Sequence, residues 1–466
     1  MNNETKNSAR EYVEELMKSA RSAQQIADSF SQEKVDELST AIAWAAVKEE
    51  NARELAKLSL EETRMGDYES KYKKILKKIK GVQRDIRDAR TVGIIETNKE
   101  KGIIKIAKPV GVIGAIIPCT NPEITPVIKA MNSIKGRNAV VFSPHPRSKK
   151  TTFRIVEIMR ETLRKHNAPV DLLICAENPT KEISNEIMRQ CDLVIATGGS
   201  AMVKAAYSSG TPAYGVGAGN VVVVVDETAD IKDAAHKIML SKTFDLASGC
   251  SCDNSLVIQN SIYAQLIGAL KSEGGYLVNA DEKKCLQDTM WIDGYLNKDI
   301  VAQPATKIAQ MAGISLPEDK KFLMVEENGV GKEYPFSGEK MSVVLTLYKY
   351  QDFEGAIKKV NAIQSYQGAG HSCGIYSFNE DHILQLSLGT RTSRVMVRQP
   401  QNYGNSGDWC NGMPFTVTLG CGTWGGNIVS ENIVMKHYIN TTWVSYPIEP
   451  VIPKDEELFG KIMFED

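Results

Sequence analysis

Val110-Gly111-Val112-Ile113-Gly114-Ala115-Ile116-Ile117-Pro118-Cys119-Thr120-Asn121-Pro122 sets an apolar run of strand length against a proline-flanked polar turn. Such a run, bounded by breakers, reads as a strand buried on both faces. The same signature returns at Asn138 to Phe142, Asp171 to Cys175, Leu193 to Ala196 and Val221 to Val225, with helical stretches such as Lys149 to Lys165 and Ala201 to Ser208 between them. Strands that alternate with helices imply βαβ units on a parallel sheet, so the fold class is α/β, doubly wound.

Outward from this block the period changes. Upstream, from Ala9 to Lys78, apolar residues recur at three and four (Val13, Leu16, Met17, Ala20, Ile26 and Ala27, then Val35, Leu38, Ile42, Trp44 and Ala45), which predicts a helical opening segment. Ile94-Ile95-Glu96-Thr97 and Ile103-Ile104-Lys105-Ile106 flank a Lys/Gly turn and predict a β-hairpin over 93–108, with an edge that can pair with another subunit. Downstream, a helix over Ala229 to Leu246 leads into a turn at Cys250, and a second βα series runs from Ser255 to Phe378. Polar, Gly-rich sequence from Gln401 to Asn427 precedes strand-like Thr441-Thr442-Trp443-Val444. The expected units are 1–226, 227–427 and a closing segment 428–466, and two α/β halves place a ligand between them.

The chain has 466 residues, room for two large domains. A net charge of −1 supplies no basic field for nucleic acid or an anionic membrane, which leaves a small molecule as the partner. No apolar run approaches the roughly 20 residues of a bilayer span, and Met1 to Lys6 lacks the apolar core of a secretory signal, so a cytoplasmic location is expected. Nine cysteines, an odd number without paired metal spacing, read as reduced thiols; the six histidines do not cluster near Cys250 and Cys252, and no metal is expected.

Phe244-Asp245-Leu246-Ala247-Ser248-Gly249-Cys250-Ser251-Cys252 sets a thiol among small residues in a turn, a seat for a nucleophile suited to acyl chemistry once something lowers its pKa. Gly198-Gly199-Ser200 follows a strand and opens a helix, where free N–H groups either meet a phosphate or only make a tight turn. Gly215-Val216-Gly217-Ala218-Gly219-Asn220 precedes a strand, the wrong order for a dinucleotide fingerprint, and suits close backbone approach beside a reacting group. Asn121, at the carboxyl edge of its strand, either shapes the turn before Pro122 or donates its amide to a developing oxyanion. The run His145-Pro146-Arg147-Ser148-Lys149-Lys150 is either a solvated face or a seat for an adenosine ribose or its 2′-phosphate.

Taken in order, these tracts resemble the aldehyde dehydrogenase superfamily, and within it the CoA-acylating branch, over nearly the whole chain. The likeness rests on Thr120-Asn121-Pro122, on His145 to Lys150, on Thr197-Gly198-Gly199, on the Phe244-Asp245 pair ahead of Cys250, on Glu339-Lys340-Met341-Ser342, and on Gly420-Cys421-Gly422-Thr423-Trp424-Gly425-Gly426-Asn427. The resemblance implies an aldehyde dehydrogenase-like fold, with Cys250 as nucleophile and with Asn121 and the Cys250 backbone N–H holding the oxyanion. It also implies dinucleotide contacts from Thr197, Gly198, Gly199, Ser200, His145, Arg147, Lys149 and Gly217, with Glu339 on the nicotinamide ribose. Hydrolytic relatives carry a Glu at the position of Gly215, where it activates water; its absence here fits return of the acyl group to coenzyme A. Implied cofactors are NADP or NAD, NADP favoured by Arg147 and Lys149, with coenzyme A as co-substrate. The implied assembly is a homodimer or homotetramer through the hairpin and the C-terminal strand.

For the aldehyde, Arg398 stands where relatives carry Asn, and the loop Asn402-Tyr403-Gly404-Asn405-Ser406-Gly407-Asp408-Trp409 is polar. A cation there suits an anionic substrate, with Arg398, Tyr403 and Trp424 as candidate substrate contacts. The tract from Met413 to Asn427 most resembles members that act on sulfoacetaldehyde. Succinate semialdehyde is the rival, followed by C2 to C4 aldehydes. A γ-glutamyl phosphate reductase shares the fold but lacks the Cys-Gly-x-Trp-Gly tract, and a non-catalytic structural homologue is the alternative of a different class.

Overall fold

The periodicity of the opening segment becomes four helices, α1 (Asn3–Ala27), α2 (Gln32–Val47), α3 (Glu49–Thr63) and α4 (Tyr68–Ile86), in a computed structural model that describes residues 3–464. Met1, Asn2, Glu465 and Asp466, the outermost residues of the expected first and last segments, lie outside the described residues. The Ser31 and Asp67 side chains cap α2 and α4 by accepting N–H bonds from Lys34 and Ser70, which satisfies donors a helix start leaves open. Most of the expected apolar stripe is buried, but Ile26 and Trp44 are 53% and 61% exposed. Strict three-and-four counting widens the stripe past the face that touches the sheet.

The hairpin forms as expected from β1 (Gly93–Asn98) and β2 (Ile103–Pro109), paired antiparallel. The central run becomes β3 (Val112–Ile117), followed by α5 (Thr125–Lys135), β4 (Ala139–Pro144), α6 (Lys149–Lys165), β5 (Leu173–Cys175), α7 (Lys181–Gln190), β6 (Leu193–Thr197), α8 (Ser200–Tyr207) and β7 (Ala213–Val216). The five strands form a parallel sheet in the order β5-β4-β3-β6-β7. β7 lies in the Gly-rich stretch that carried no strand signal.

Val221–Val225 is β8, and its partners correct the expected boundary after residue 226. It pairs with β9 (Asp253–Gln259) and β15 (Cys373–Tyr376), not with the first sheet. Val221, Val223 and Val225 enter one core and Val222 and Val224 another, which marks a central strand buried on both faces. Such a run does not declare which sheet it joins. The second sheet is also parallel, in the order β10-β13-β14-β9-β8-β15-β16, with β10 (Gly275–Leu277), β13 (Phe322–Glu326), β14 (Val344–Tyr350) and β16 (Val395–Val397). A two-stranded ribbon, β11 (Trp291–Ile292) with β12 (Tyr295–Leu296), stands apart from it. β17 (Ile439–Ser445) returns across the molecule to pair with β2, giving the three-stranded sheet β1-β2-β17. No helix among the described residues is long and apolar enough to cross a membrane.

The first sheet meets the cleft with its carboxyl ends, where open α/β sheets bind ligands, and the second meets it with its amino ends: Asn121 and Thr197 stand at the ends of β3 and β6, whereas Cys250 and Glu339 precede β9 and β14. Phe142 on β4 is fully buried in the first core, so Phe142→Ala is expected to cost about 3–5 kcal/mol, whereas Trp44→Ala costs under about 0.5 kcal/mol. Urea unfolding of the two variants, read against wild type, checks both values.

Candidate active site

The nucleophile turn departs from ordinary backbone. α9 (Ile231–Thr243) ends before Phe244, and Asp245, Leu246 and Ala247 then take φ values of +48°, +49° and +62°. A left-handed conformation costs a non-glycine residue roughly 1–2 kcal/mol, so three in succession need support. The Asp245 carboxylate provides it. Its Oδ2 meets Lys74 Nζ at 2.7 Å and Lys71 Nζ at 3.5 Å and accepts from Ser248 Oγ at 2.7 Å, while its Oδ1 accepts from the Asp67 N–H at 3.0 Å. Burial alone would raise the Asp245 carboxyl, yet Lys74 and Lys71 hold it below the usual carboxylate range.

Past this turn stands Cys250, and His371 Nε2 lies 3.3 Å from its Sγ. His371 Nδ1 faces Ser372 Oγ at 2.8 Å; the tautomer that donates there leaves Nε2 as an acceptor for the thiol proton. Burial, with the Arg394 charge nearby, pushes the imidazole down to about 3 and keeps it neutral. Burial, with the Glu339 carboxylate behind it, pushes the Cys250 thiol up to about 12. The resting pair is a thiol against a neutral imidazole. Glu339 is itself buried and pushed up to about 8, with the Gly219 N–H donating to it at 3.3 Å. Gly219 is required here: a Cβ at this position would lie 2.2 Å from the Cys250 carbonyl oxygen and 3.0 Å from the His371 ring.

Asn121 follows β3, and Lys74 Nζ donates to its Oδ1 at 2.6 Å. An ammonium can only donate, so this bond fixes the amide orientation and leaves Nδ2 as the donor. Among the described residues, Nδ2 donates to Thr120 Oγ1 alone, at 3.3 Å. Lys74 also pairs with Glu123 at 2.7 Å, and burial of its charge is outweighed by Asp245 and Glu123, which hold it above the ordinary lysine value. The Gly215 position cannot take a base without rearrangement. The Tyr207 hydroxyl bridges its N–H and C=O at 3.1 Å each, and a Cβ there would meet Val203 and Tyr207 at 3.0 Å.

One cavity, about 270 Å³, brings together Asn121, His145, Thr197, Gly198, Gly199, Gly217, Cys250 and Glu339. Ser200 and Trp424 line a neighbouring cleft with Gly217 and Tyr207. Arg147 and Lys149 are exposed at the start of α6, with Arg147 Nη2 donating to the Thr63 carbonyl at 3.1 Å. A second, smaller chamber of about 70 Å³ lies on the other side of Cys250 and Asn121, lined also by Lys74, Lys78, Asn402 and Ser406.

The expected substrate contacts Arg398, Tyr403 and Trp424 line neither of the two cavities that Cys250 shares. Arg398 sits at φ +51° after β16, donates to the Ser377 carbonyl at 2.5 Å and lies 4.5 Å from the centre of the Phe378 ring. Tyr403 packs against Phe244 at 4.8 Å under the Lys77 ammonium. Trp424, 47% exposed, belongs to the other cleft. The polar loop instead turns Asn402 and Ser406 inward. His371 was missed because a lone histidine in a Gly/Ser stretch has no periodic signal. Lys71, Lys74 and Lys78 did carry one: they share a helical face with Ile75, Ile79 and Val82, so the lysines lie on the apolar side of α4.

Because burial holds the thiol protonated, iodoacetamide alkylation of Cys250, followed by peptide mass spectrometry, should rise about tenfold per pH unit from neutrality to beyond pH 10. A plateau by pH 8 would show a thiolate already formed.

Residues 3–282 match the aldehyde dehydrogenase family. The chain is 48% identical to a sulfoacetaldehyde dehydrogenase of an Acholeplasma species over 96% of its length and 94% of the relative's. It is 39% identical to the acetylating succinate-semialdehyde dehydrogenase of Clostridium kluyveri over 96% of its length and 99% of the relative's. An acetylating aldehyde dehydrogenase from Geobacillus thermoglucosidasius superposes with a TM-score of 0.93 at 37% identity, covering 97% of this chain and all of that one. With a thiol, an amide donor and a neutral imidazole gathered at the cleft of this fold, the chain belongs to the aldehyde dehydrogenase family, among its acylating members.

Proposed function

We propose that the protein oxidises sulfoacetaldehyde with a nicotinamide dinucleotide and coenzyme A, giving sulfoacetyl-CoA through a Cys250 thioester. The observation that carries the reading is Cys250 Sγ at 3.3 Å from an imidazole acceptor, beside an amide donor oriented by Lys74, with Gly215 where a hydrolytic base would stand. Likeness to the Acholeplasma enzyme supports the substrate, and likeness to the Clostridium kluyveri enzyme makes succinate semialdehyde the rival.

Cys250 attacks the aldehyde carbon as its proton moves to His371 Nε2. A free buried thiolate is costly, so attack and proton transfer proceed together. The oxyanion accepts from Asn121 Nδ2 and the Cys250 N–H. The residues fit a dinucleotide: Gly199 and Gly217 have open space where a Cβ would stand, and Glu339 faces the same cavity. When bound, the nicotinamide supplies the hydride acceptor; Thr197 to Ser200, His145, Gly217 and Glu339 would hold it. Arg147 and Lys149, beyond His145, favour NADP over NAD through its 2′-phosphate. His371, having lost its first proton to solvent, then accepts the thiol proton of coenzyme A and returns it to Cys250 as the thioester exchanges. No carboxylate at 215 activates water, so thiolysis outruns hydrolysis. Trp443 and Ile94, 59% and 51% exposed on β17 and β1, support pairing of copies as a homodimer or homotetramer.

The test is a panel of sulfoacetaldehyde, succinate semialdehyde and butanal against the purified protein, with NADP⁺ or NAD⁺ and with or without coenzyme A. The expected result is dinucleotide reduction that requires coenzyme A, a sulfoacetyl-CoA product, a lower KM for NADP⁺, and kcat/KM at least roughly tenfold higher for sulfoacetaldehyde than for butanal, as one charge-assisted contact allows. Equal kcat/KM across the three aldehydes would overturn the substrate.

A further inference from the structure

We infer that Lys78, with the Ser406 hydroxyl, forms the receptor for the acid group of the aldehyde. The inference rests on the anionic-aldehyde reading above and names the residues that would select it. Lys78 lies one helical turn past Lys74, about 6 Å along α4, and lines the small chamber that Cys250 and Asn121 also line. Its ammonium is buried among neutral oxygens: Ser406 Oγ at 2.5 Å, the Gly407 carbonyl at 2.8 Å, the Ser406 carbonyl at 3.2 Å and the Tyr403 carbonyl at 3.5 Å. No carboxylate among the described residues pairs with it. Asp408, two residues after Ser406, pairs with Lys77 at 2.7 Å, while Lys71 and Lys74 are matched by Asp245 and Glu123.

The buried cluster of Lys71, Lys74 and Lys78 against Asp245 and Glu123 therefore holds one cation more than it has carboxylates whenever Lys78 is protonated, and Lys78 lines the same chamber as the Cys250 thiol. A buried charge without a counter-ion is unfavourable. Burial accordingly pushes Lys78 down to about 7, with Lys77 and Lys74 adding repulsion and Asp408 partly opposing it. A bound monoanion would supply the missing charge. Other buried lysines that rest on carbonyls, Lys129, Lys242 and Lys340, line neither of the cavities that Cys250 shares. Ser406 accepts from Lys78 and keeps its own O–H to donate, so a sulfonate or carboxylate oxygen would find one hydroxyl donor with the Lys78 charge directly behind it. At about 70 Å³, where a water needs roughly 10–15 Å³, the chamber takes a short chain, which places the acid one or two carbons from the carbonyl.

The probe is isethionate, the alcohol that corresponds to sulfoacetaldehyde, used to protect Cys250 from iodoacetamide; ethylene glycol is the uncharged control. Isethionate should protect the wild type and ethylene glycol should not. In Lys78→Gln the half-protecting concentration should rise roughly 10- to 100-fold, in Ser406→Ala a few-fold, and in Lys78→Arg it should stay within about threefold of wild type. Melting curves establish that each variant is folded, and Ser406→Ala carries the test if Lys78→Gln is not. Equal protection in wild type, Lys78→Gln and Ser406→Ala would overturn the assignment, as would wild type that isethionate fails to protect. Turnover of sulfoacetaldehyde by wild type reads the substrate separately: protection through Lys78 without turnover overturns the sulfoacetaldehyde reading alone, and turnover without Lys78 dependence overturns this inference alone.

Discussion

The Lys74 ammonium is the constraint on which the site depends. From α4 it reaches Asn121 beyond β3, Glu123 at the start of the next helix, and Asp245 in the nucleophile turn. One buried cation thus ties the opening helices to the loops of both parallel sheets. Removing one partner of such a buried set costs about 3–5 kcal/mol, because the carboxylates left behind are neither solvated nor paired. The same bonds set the chemistry. The contact with Asn121 leaves its amide N–H free for an oxyanion, and Asp245 holds three left-handed residues in the turn that presents Cys250.

Burial then decides how protons move. It raises the Cys250 thiol and lowers the His371 imidazole, so neither is charged at rest although they lie in contact. A neutral pair of this kind avoids a standing ion pair beside the buried Glu339 and, in the proposed mechanism, forms charge only as the aldehyde carbon is attacked. The close backbone approach at Gly219 keeps the Cys250 carbonyl and the His371 ring in register, and the Tyr207 hydroxyl closes the Gly215 position.

Strands that alternate with helices were legible from apolar runs alone, as was the hairpin, and the turn at Cys250 was legible from its small residues. Thr197 to Gly199, His145, Gly217, Asn121, Cys250 and Glu339 were named from sequence, and they meet in one cavity. The allegiance of Val221–Val225 was not legible, because a strand buried on both faces has the same composition in either sheet. The surroundings of Arg398 were not legible either: its left-handed backbone and its contacts with Ser377 and Phe378 leave no mark in the sequence. The lysines that do line the pocket lay in Tyr72-Lys73-Lys74-Ile75-Leu76-Lys77-Lys78, which reads as a solvated basic helix until their shared face with Ile75 and Ile79 is counted.

The central claim is that Cys250 carries the acyl group and that only a thiol removes it efficiently. Mass spectrometry of the protein incubated with sulfoacetaldehyde and NADP⁺, first without and then with coenzyme A, tests it most directly. The account predicts a sulfoacetyl adduct on the peptide containing Cys250, cleared by coenzyme A as sulfoacetyl-CoA. An unmodified Cys250 alongside reduced dinucleotide, or free sulfoacetate as the sole product when coenzyme A is present, would contradict it.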